Sequence, residues 1–246
     1  MIIIETISFN FCSPRRVAVC VLLTLISACA QPVVMPEQQA LPPLPDRGYD
    51  EGELSGSTQY RIDPGQSFVL VHVGRAGTMK SLGHDHAVAS ENVEGRVLLR
   101  EGLAGSIADL QVPLKLLLVD DARYRQQLGL DPDVSESASA GTYSNMQSKV
   151  LETMLFPVAE LHADFVSGDT QNAILDITLG LHGTSAHYQV PVVLDISPSE
   201  LVASGEFVIK HADFAMTAFS ALGGALRVAE DIPIQFRISA RAVAMP

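Results

Sequence analysis

Gly83-His84-Asp85-His86 carries the most chemically pointed residue types in this chain. Two histidines two apart lie on the same side of an extended segment, so both imidazoles could reach one metal ion, with Asp85 assisting. A metal site ordinarily needs further protein ligands or water. His72 precedes the loop and is the first candidate; His182, His187 and His211 qualify only if the fold brings them close. The competing reading is a polar loop whose histidines bond to water and backbone, with a pH-responsive loop between the two.

Other catalytic signatures are missing. The sequence has no G-x-x-x-x-G-K-[ST], G-x-S-x-G, H-E-x-x-H or C-x-x-C. Asp120-Asp121 stand at an apparent helix start, where carboxylates complement the N-terminal dipole, so capping is favoured over acid–base work. These absences point away from an enzyme.

Cys29 closes the run Val17–Ala28, which follows Arg15-Arg16. The apolar stretch is about a dozen residues, short of the roughly 20 that a membrane-spanning helix needs, and a basic stretch followed by a short apolar run reads as an export signal. Ile26-Ser27-Ala28-Cys29 resembles the bacterial lipobox, in which cleavage leaves a lipidated cysteine; a plain secretory signal is the alternative. Residues 1–28 are thus expected to be a lipoprotein signal, with acylation at Cys29. Cys12 and Cys20 would leave with the signal, so no disulfide would remain.

Residues 29–58 are rich in proline (Pro32, Pro36, Pro42, Pro43, Pro45) and read as a semi-rigid tether. The formal charge is −12 at pH 7. Nucleic acid and anionic phospholipid are therefore disfavoured partners, since phosphate binding relies on Lys and Arg. Membrane attachment should come from the acyl group, placing the chain on the periplasmic face of a bacterial membrane, the outer rather than the inner.

Residues 59–246 fit one domain by length, with no internal repeat. Its dominant periodicity is two. Val69, Val71 and Val73 form one apolar row; Ala108, Leu110, Val112, Leu114 and Leu116 a second; Ala159, Leu161, Ala163 and Phe165 a third. Leu175–Leu181, Tyr188–Ile196 and Ile232–Ile238 alternate in the same way, and further runs lie near 92–99 and 201–210. One-sided alternation marks antiparallel strands with one buried face. The pattern predicts a mainly β fold of about eight antiparallel strands.

Two segments break the pattern, between the third and fourth strands. Asp120–Leu128 favours helix. Ser144-Asn145-Met146-Gln147 has capping-box spacing, with Met146, Val150 and Met154 on one face and Phe156-Pro157 as the stop. Eight strands closing into a barrel leave an interior just wide enough for side chains or one small ligand. Small inward residues (Ala108, Ala159, Ala163, Gly95, Gly205) and the absence of Trp favour a cavity.

From Tyr60 to about 242 the chain resembles the YceI-like family of periplasmic proteins. The similarity is carried by Tyr60-Arg61-Ile62-Asp63-Pro64-Gly65-Gln66-Ser67, Val93-Glu94-Gly95-Arg96-Val97, Phe156-Pro157, Leu179-Gly180-Leu181-His182-Gly183-Thr184, and Gly205–Ile209 with Asp213-Phe214. The resemblance implies a lipocalin-like barrel that binds polyisoprenoids. Arg123-Tyr124-Arg125, where the family often has Arg-Asp, and the longer Ser-rich stretch 131–143 depart from its pattern near the ligand channel.

Taken together, the expectation is a lipid-anchored, non-enzymatic carrier of a polyisoprenoid or isoprenoid quinone. Val69, Val71, Val73, Leu114, Leu179 and Phe236 are its expected ligand-contacting residues. Burying several hundred Å² of apolar chain at about 25 cal/mol/Å² contributes on the order of 10 kcal/mol before ordering costs, so no catalytic group is required. The alternative is a metal- or haem-associated redox accessory using His84 and His86, with a cytochrome or quinone-linked membrane partner.

Overall fold

The computed structural model describes residues 41–45, 47, 49 and 56–243. Cys29, the signal and much of the tether lie outside them. In chain order the first strands are β1 (Ser57–Ile62), β2 (Phe68–Val73), β3 (Arg75–Ala76), β4 (His86–Ser90), β5 (Glu94–Arg100), β6 (Ile107–Pro113) and β7 (Leu118–Val119). Helices α1 (Ala122–Gln127) and α2 (Glu136–Asn145) follow. The rest is β8 (Val158–Ser167), β9 (Ala173–Leu181), β10 (Thr184–Ile196), β11 (Glu200–Lys210), β12 (Ser220–Ala221), β13 (Leu226–Val228) and β14 (Asp231–Ala242). Among the described residues no helix is long and apolar enough to cross a membrane.

Eight strands form a closed antiparallel barrel in the order β1-β5-β6-β8-β9-β10-β11-β14, and β14 returns to β1. Closure leaves no open edge in the ring. The expected strand number and the position of the helices hold, but one member differs. The ring is closed by Ser57–Ile62, whereas Phe68–Val73 branches from it. Strand β14 pairs with β1 through Ala240–Ala242 and with β2 through Ile234–Arg237. Between them Asp63-Pro64-Gly65 makes a tight turn: the Asp63 carboxylate accepts from the Gly65 amide, and Pro64 presets φ. Buried Ser67 fastens the branch, donating to the Asp63 carbonyl (2.8 Å) and accepting from the Ser239 amide (3.0 Å).

Strands β2, β4 and β7 make a flap that is buried on both faces. Val69, Val71 and Val73 point into the barrel, while Leu70, Ala87, Ala89 and Phe68 pack beneath Tyr124 of α1. Strand β4 gives no alternating signal, because two-sided burial erases the polar face.

The helices differ from expectation. Asp121 caps α1, its carboxylate accepting from the Arg123 amide, as read from the sequence. Asp120 does not cap; it turns inward in a left-handed conformation (φ 59°). The second helix starts earlier than Ser144. Its N-cap is Ser135, whose hydroxyl accepts from the Ala138 amide, so much of the Ser-rich stretch 131–143 is helical. The helix continues as a π turn over Met146–Val150, and Met154 lies beyond it, 83% exposed.

The outer face of β6 also differs. Asp109 and Gln111, the polar residues that alternate with the apolar row Ala108, Leu110 and Val112, would face solvent by that alternation, yet both are buried. Residues of the expected tether pack near them: Tyr49 is 1% exposed, with the Arg96 guanidinium 4.0 Å over its ring, and Arg47 pairs with Asp109 at 3.3 Å.

Candidate ligand-binding site

The inward apolar rows enclose a cavity of about 390 Å³. That volume falls within the roughly 300–1,000 Å³ of small-molecule sites. All six residues expected to contact a ligand (Val69, Val71, Val73, Leu114, Leu179 and Phe236) line it. The inward alanines Ala108, Ala159 and Ala163 line it too. Gly95 and Gly205, expected to help hollow the interior, do not; they mark close backbone approach. A Cβ on Gly95 would stand 2.4 Å from the Asp109 carbonyl, and one on Gly205 would meet the Phe236 ring at 3.0 Å. The row on β6 ends at Pro113, after which a 3-10 turn over Leu114–Leu116 puts Leu117, rather than Leu116, on the cavity.

Strand register separates the two ends of the barrel. The short connections 101–106, 168–172 and 197–199 lie at one end. At the other lie the β9–β10 hairpin, the β2-to-β4 connection, both helices and the segment 211–230. This helix end carries the nitrogen-bearing side chains that face the cavity: His86 on β4, Asn145 on α2, and His211 just after β11. Thr142 of α2 joins them.

His86 sits on a buried network. Its Nδ1 is 2.7 Å from Asp120 Oδ2, and the Asp120 side chain is 0% exposed. The other Asp120 oxygen accepts from the Ala87 amide (3.1 Å) and from Arg125 Nη1 (2.5 Å). Arg125 also donates to the carbonyls of Asp85 and Asp131. Burial opposes ionisation of Asp120, but the bonds from His86 and Arg125 outweigh it and hold the carboxyl below its usual range. The Nε2 of His86 lies 3.3 Å from the Thr142 hydroxyl. Burial, with lesser help from His86, pushes the His84 pKa down.

The structure brings His84 and His86 together, with ring centroids 4.5 Å apart. His72 sits 3.3 Å from Asp85, which also accepts from the Arg75 amide. Two of the other candidate histidines are engaged elsewhere: His182 with Glu152 at 2.7 Å and His187 with Thr178 at 3.1 Å. Among the described residues no group of three or more His, Cys, Asp or Glu is placed to hold a metal ion.

His211 is 8% exposed, and its Nδ1 has no hydrogen-bond partner among the described residues. Burial lowers its pKa. Sequence reading weighed His211 only as a metal ligand, yet the row Leu201, Ala203, Phe207, Ile209 has the parity that carries it into the barrel. Thr142 and Asn145 had no such signal, because α2 has no apolar stripe.

No curated protein sequence matches the chain. In solved structures, the chain is similar to BcnA of Burkholderia cenocepacia, with TM-score 0.54 and 14% identity, over 72% of this chain and 98% of that one. It is also similar to a polyisoprenoid binding domain from Saccharophagus degradans implicated in plant cell wall breakdown, with TM-score 0.49 and 15% identity. That match covers 75% of this chain and 98% of the other. The YceI-like domain family matches residues 60–240, which span the closed ring, the branch and the helix end. With a closed eight-stranded barrel around an apolar interior and that match across it, the chain belongs to the YceI-like domain family.

Proposed function

We propose that the chain is a lipid-anchored periplasmic binding protein that sequesters a polyisoprenoid or an isoprenoid quinone inside its barrel, without catalysis. The cavity carries this reading. At ~24 cal/mol per Å³, leaving about 390 Å³ unfilled would cost on the order of 9 kcal/mol. That is comparable to a whole domain's stability. An apolar ligand replaces this cost with buried contact. Family membership supports the same reading, as does the relative described as a polyisoprenoid binding domain. The anchor rests on Cys29 and the signal before it.

Mass spectrometry of an organic extract from the purified native protein, with metal analysis of the same sample, tests the reading. A near-equimolar lipid with an isoprenoid chain is expected. The His84–His86 ring pair keeps one competing reading, the metal- or haem-associated redox accessory. Lipid-free protein holding equimolar metal, lost in a His84→Ala, His86→Ala variant, would establish that reading instead. For the anchor, Cys29→Ser should give a soluble or unprocessed chain; a cleaved variant retained in the membrane would contradict acylation there.

A further inference from the structure

We propose that the cavity selects an apolar chain bearing an uncharged oxygen, hydroxyl or carbonyl, at its head, and that His211 holds that oxygen. The inference rests on the apolar-ligand reading above and adds the chemistry of the ligand's head.

Two observations carry it. The first is the unpartnered, buried Nδ1 of His211, a residue that lines the cavity just after β11. Buried polar atoms are almost always hydrogen-bonded, and a neutral imidazole offers one donor and one acceptor. Either a hydroxyl or a carbonyl oxygen therefore satisfies it. The second is the charge of the wall. No Lys or Arg lines the cavity among the described residues. The nearby buried cation, Arg125, is committed to Asp120 and to the carbonyls of Asp85 and Asp131. A diphosphate entering here would lose its hydration with no free cation to meet it, which is prohibitive.

The position of His211 fits this role. It lies at the helix end, as do Thr142, Asn145 and the Nε2 of His86, while the rest of the wall is apolar apart from Ser90, Ser106 and the carboxylate-bearing Glu160. A tail threaded along the barrel would leave its head at this end. The burial-lowered pKa of His211 keeps the ring neutral near pH 7, as an uncharged partner requires.

The test is displacement of a fluorescent apolar probe, N-phenyl-1-naphthylamine, from the purified delipidated full chain by three fifteen-carbon competitors: farnesene, farnesol and farnesyl diphosphate. Farnesol should compete about tenfold better than farnesene, the equivalent of one net hydrogen bond. Farnesyl diphosphate should be about a hundredfold weaker than farnesol. In His211→Leu, farnesol and farnesene should compete equally; His211→Gln, which keeps a donor and an acceptor, should restore part of the preference. Circular dichroism confirms that both variants fold. Equal competition by farnesene and farnesol in the wild type, or diphosphate matching farnesol, would overturn the proposal. If farnesene also fails to displace the probe, the apolar-ligand reading falls, and this proposal with it.

Discussion

The two ends of the barrel are built from different material. At one end β5–β6, β8–β9 and β10–β11 are joined by short turns, and side chains such as Tyr60, Ile62, Val93 and Leu201 pack into a cluster. At the other, two helices, a three-stranded sheet (β12-β13-β3) and the β2–β4–β7 flap are assembled around buried polar groups. The turn end packs chiefly by apolar burial, which is non-directional, tied by bonds such as Tyr60 Oη to the Ser197 carbonyl (3.2 Å) and Arg241 to Asp63 (2.7 Å). The helix end depends on one ionic network, Asp120 with His86 and Arg125, which is directional and intolerant of deletion. The contrast gives closure to one end and, on the proposal above, recognition to the other.

The sharpest way to break the contrast is Asp120→Asn. Asparagine tolerates the left-handed backbone at this position but leaves Arg125 buried without its counter-charge. A loss of about 3–5 kcal/mol is expected, read as a lower urea midpoint. Glu91→Gln removes the exposed Glu91–Arg123 pair and should cost less than about 1 kcal/mol. Equal effects would remove the distinction between a designed network and ordinary surface charge.

Next in size is Ala163→Phe, which fills the cavity from β8. Overpacking costs roughly 1–3 kcal/mol, and the apolar ligand should be displaced while the helix end stays intact. Co-purifying lipid measured alongside the near-UV spectrum checks both. Undiminished lipid in a folded variant would place the ligand elsewhere.

How far the sequence could be read follows the same divide. The rows Leu175–Leu181 and Ile232–Ile238 announce their inward faces because each strand is wet on the other side. Leu179 and Phe236 come from such rows, while Val69, Val71 and Val73 lie on β2, whose other face packs beneath α1, and Leu114 belongs to a row that ends in a 3-10 turn. What escaped lacked a one-sided signal. Strand β4 is buried on both faces. Tyr60 and Ile62 of β1 follow a proline-rich stretch and bend away at Asp63-Pro64, so nothing local says that they close the ring. Helix α2 is Ser- and Ala-rich with no stripe, and it was missed in favour of a capping pattern that starts at Ser144 rather than at the true N-cap, Ser135. Asp120 beside Asp121 looked like a second cap; only the fold shows that one carboxylate faces solvent and the other a buried arginine.

Smaller effects sharpen the picture. Asp121→Ala removes the α1 cap and should cost about 1 kcal/mol, measured by urea denaturation, without changing lipid content. The smallest effect expected is in pH dependence. His211 has a lowered folded pKa, so below its unfolded value, about 6.5, the unfolded chain binds more protons than the folded one. Stability therefore falls as pH drops through that window, and His84 contributes in the same direction. The difference in urea midpoint between pH 7 and pH 5 should shrink in His211→Gln. An unchanged difference would show that His211 is not held neutral by burial.

The central claim is that the inside of the barrel, and not its outside, meets an apolar ligand. Methyl-resolved NMR of the delipidated protein, titrated with farnesol, tests it directly. Inward methyls of Val71, Ile177 and Leu179 should shift and show contacts to the ligand, while Val166, Val193 and Val208, exposed on the outer wall, stay in place. Shifts confined to the outer three, with the inward methyls unmoved at saturation, would contradict it.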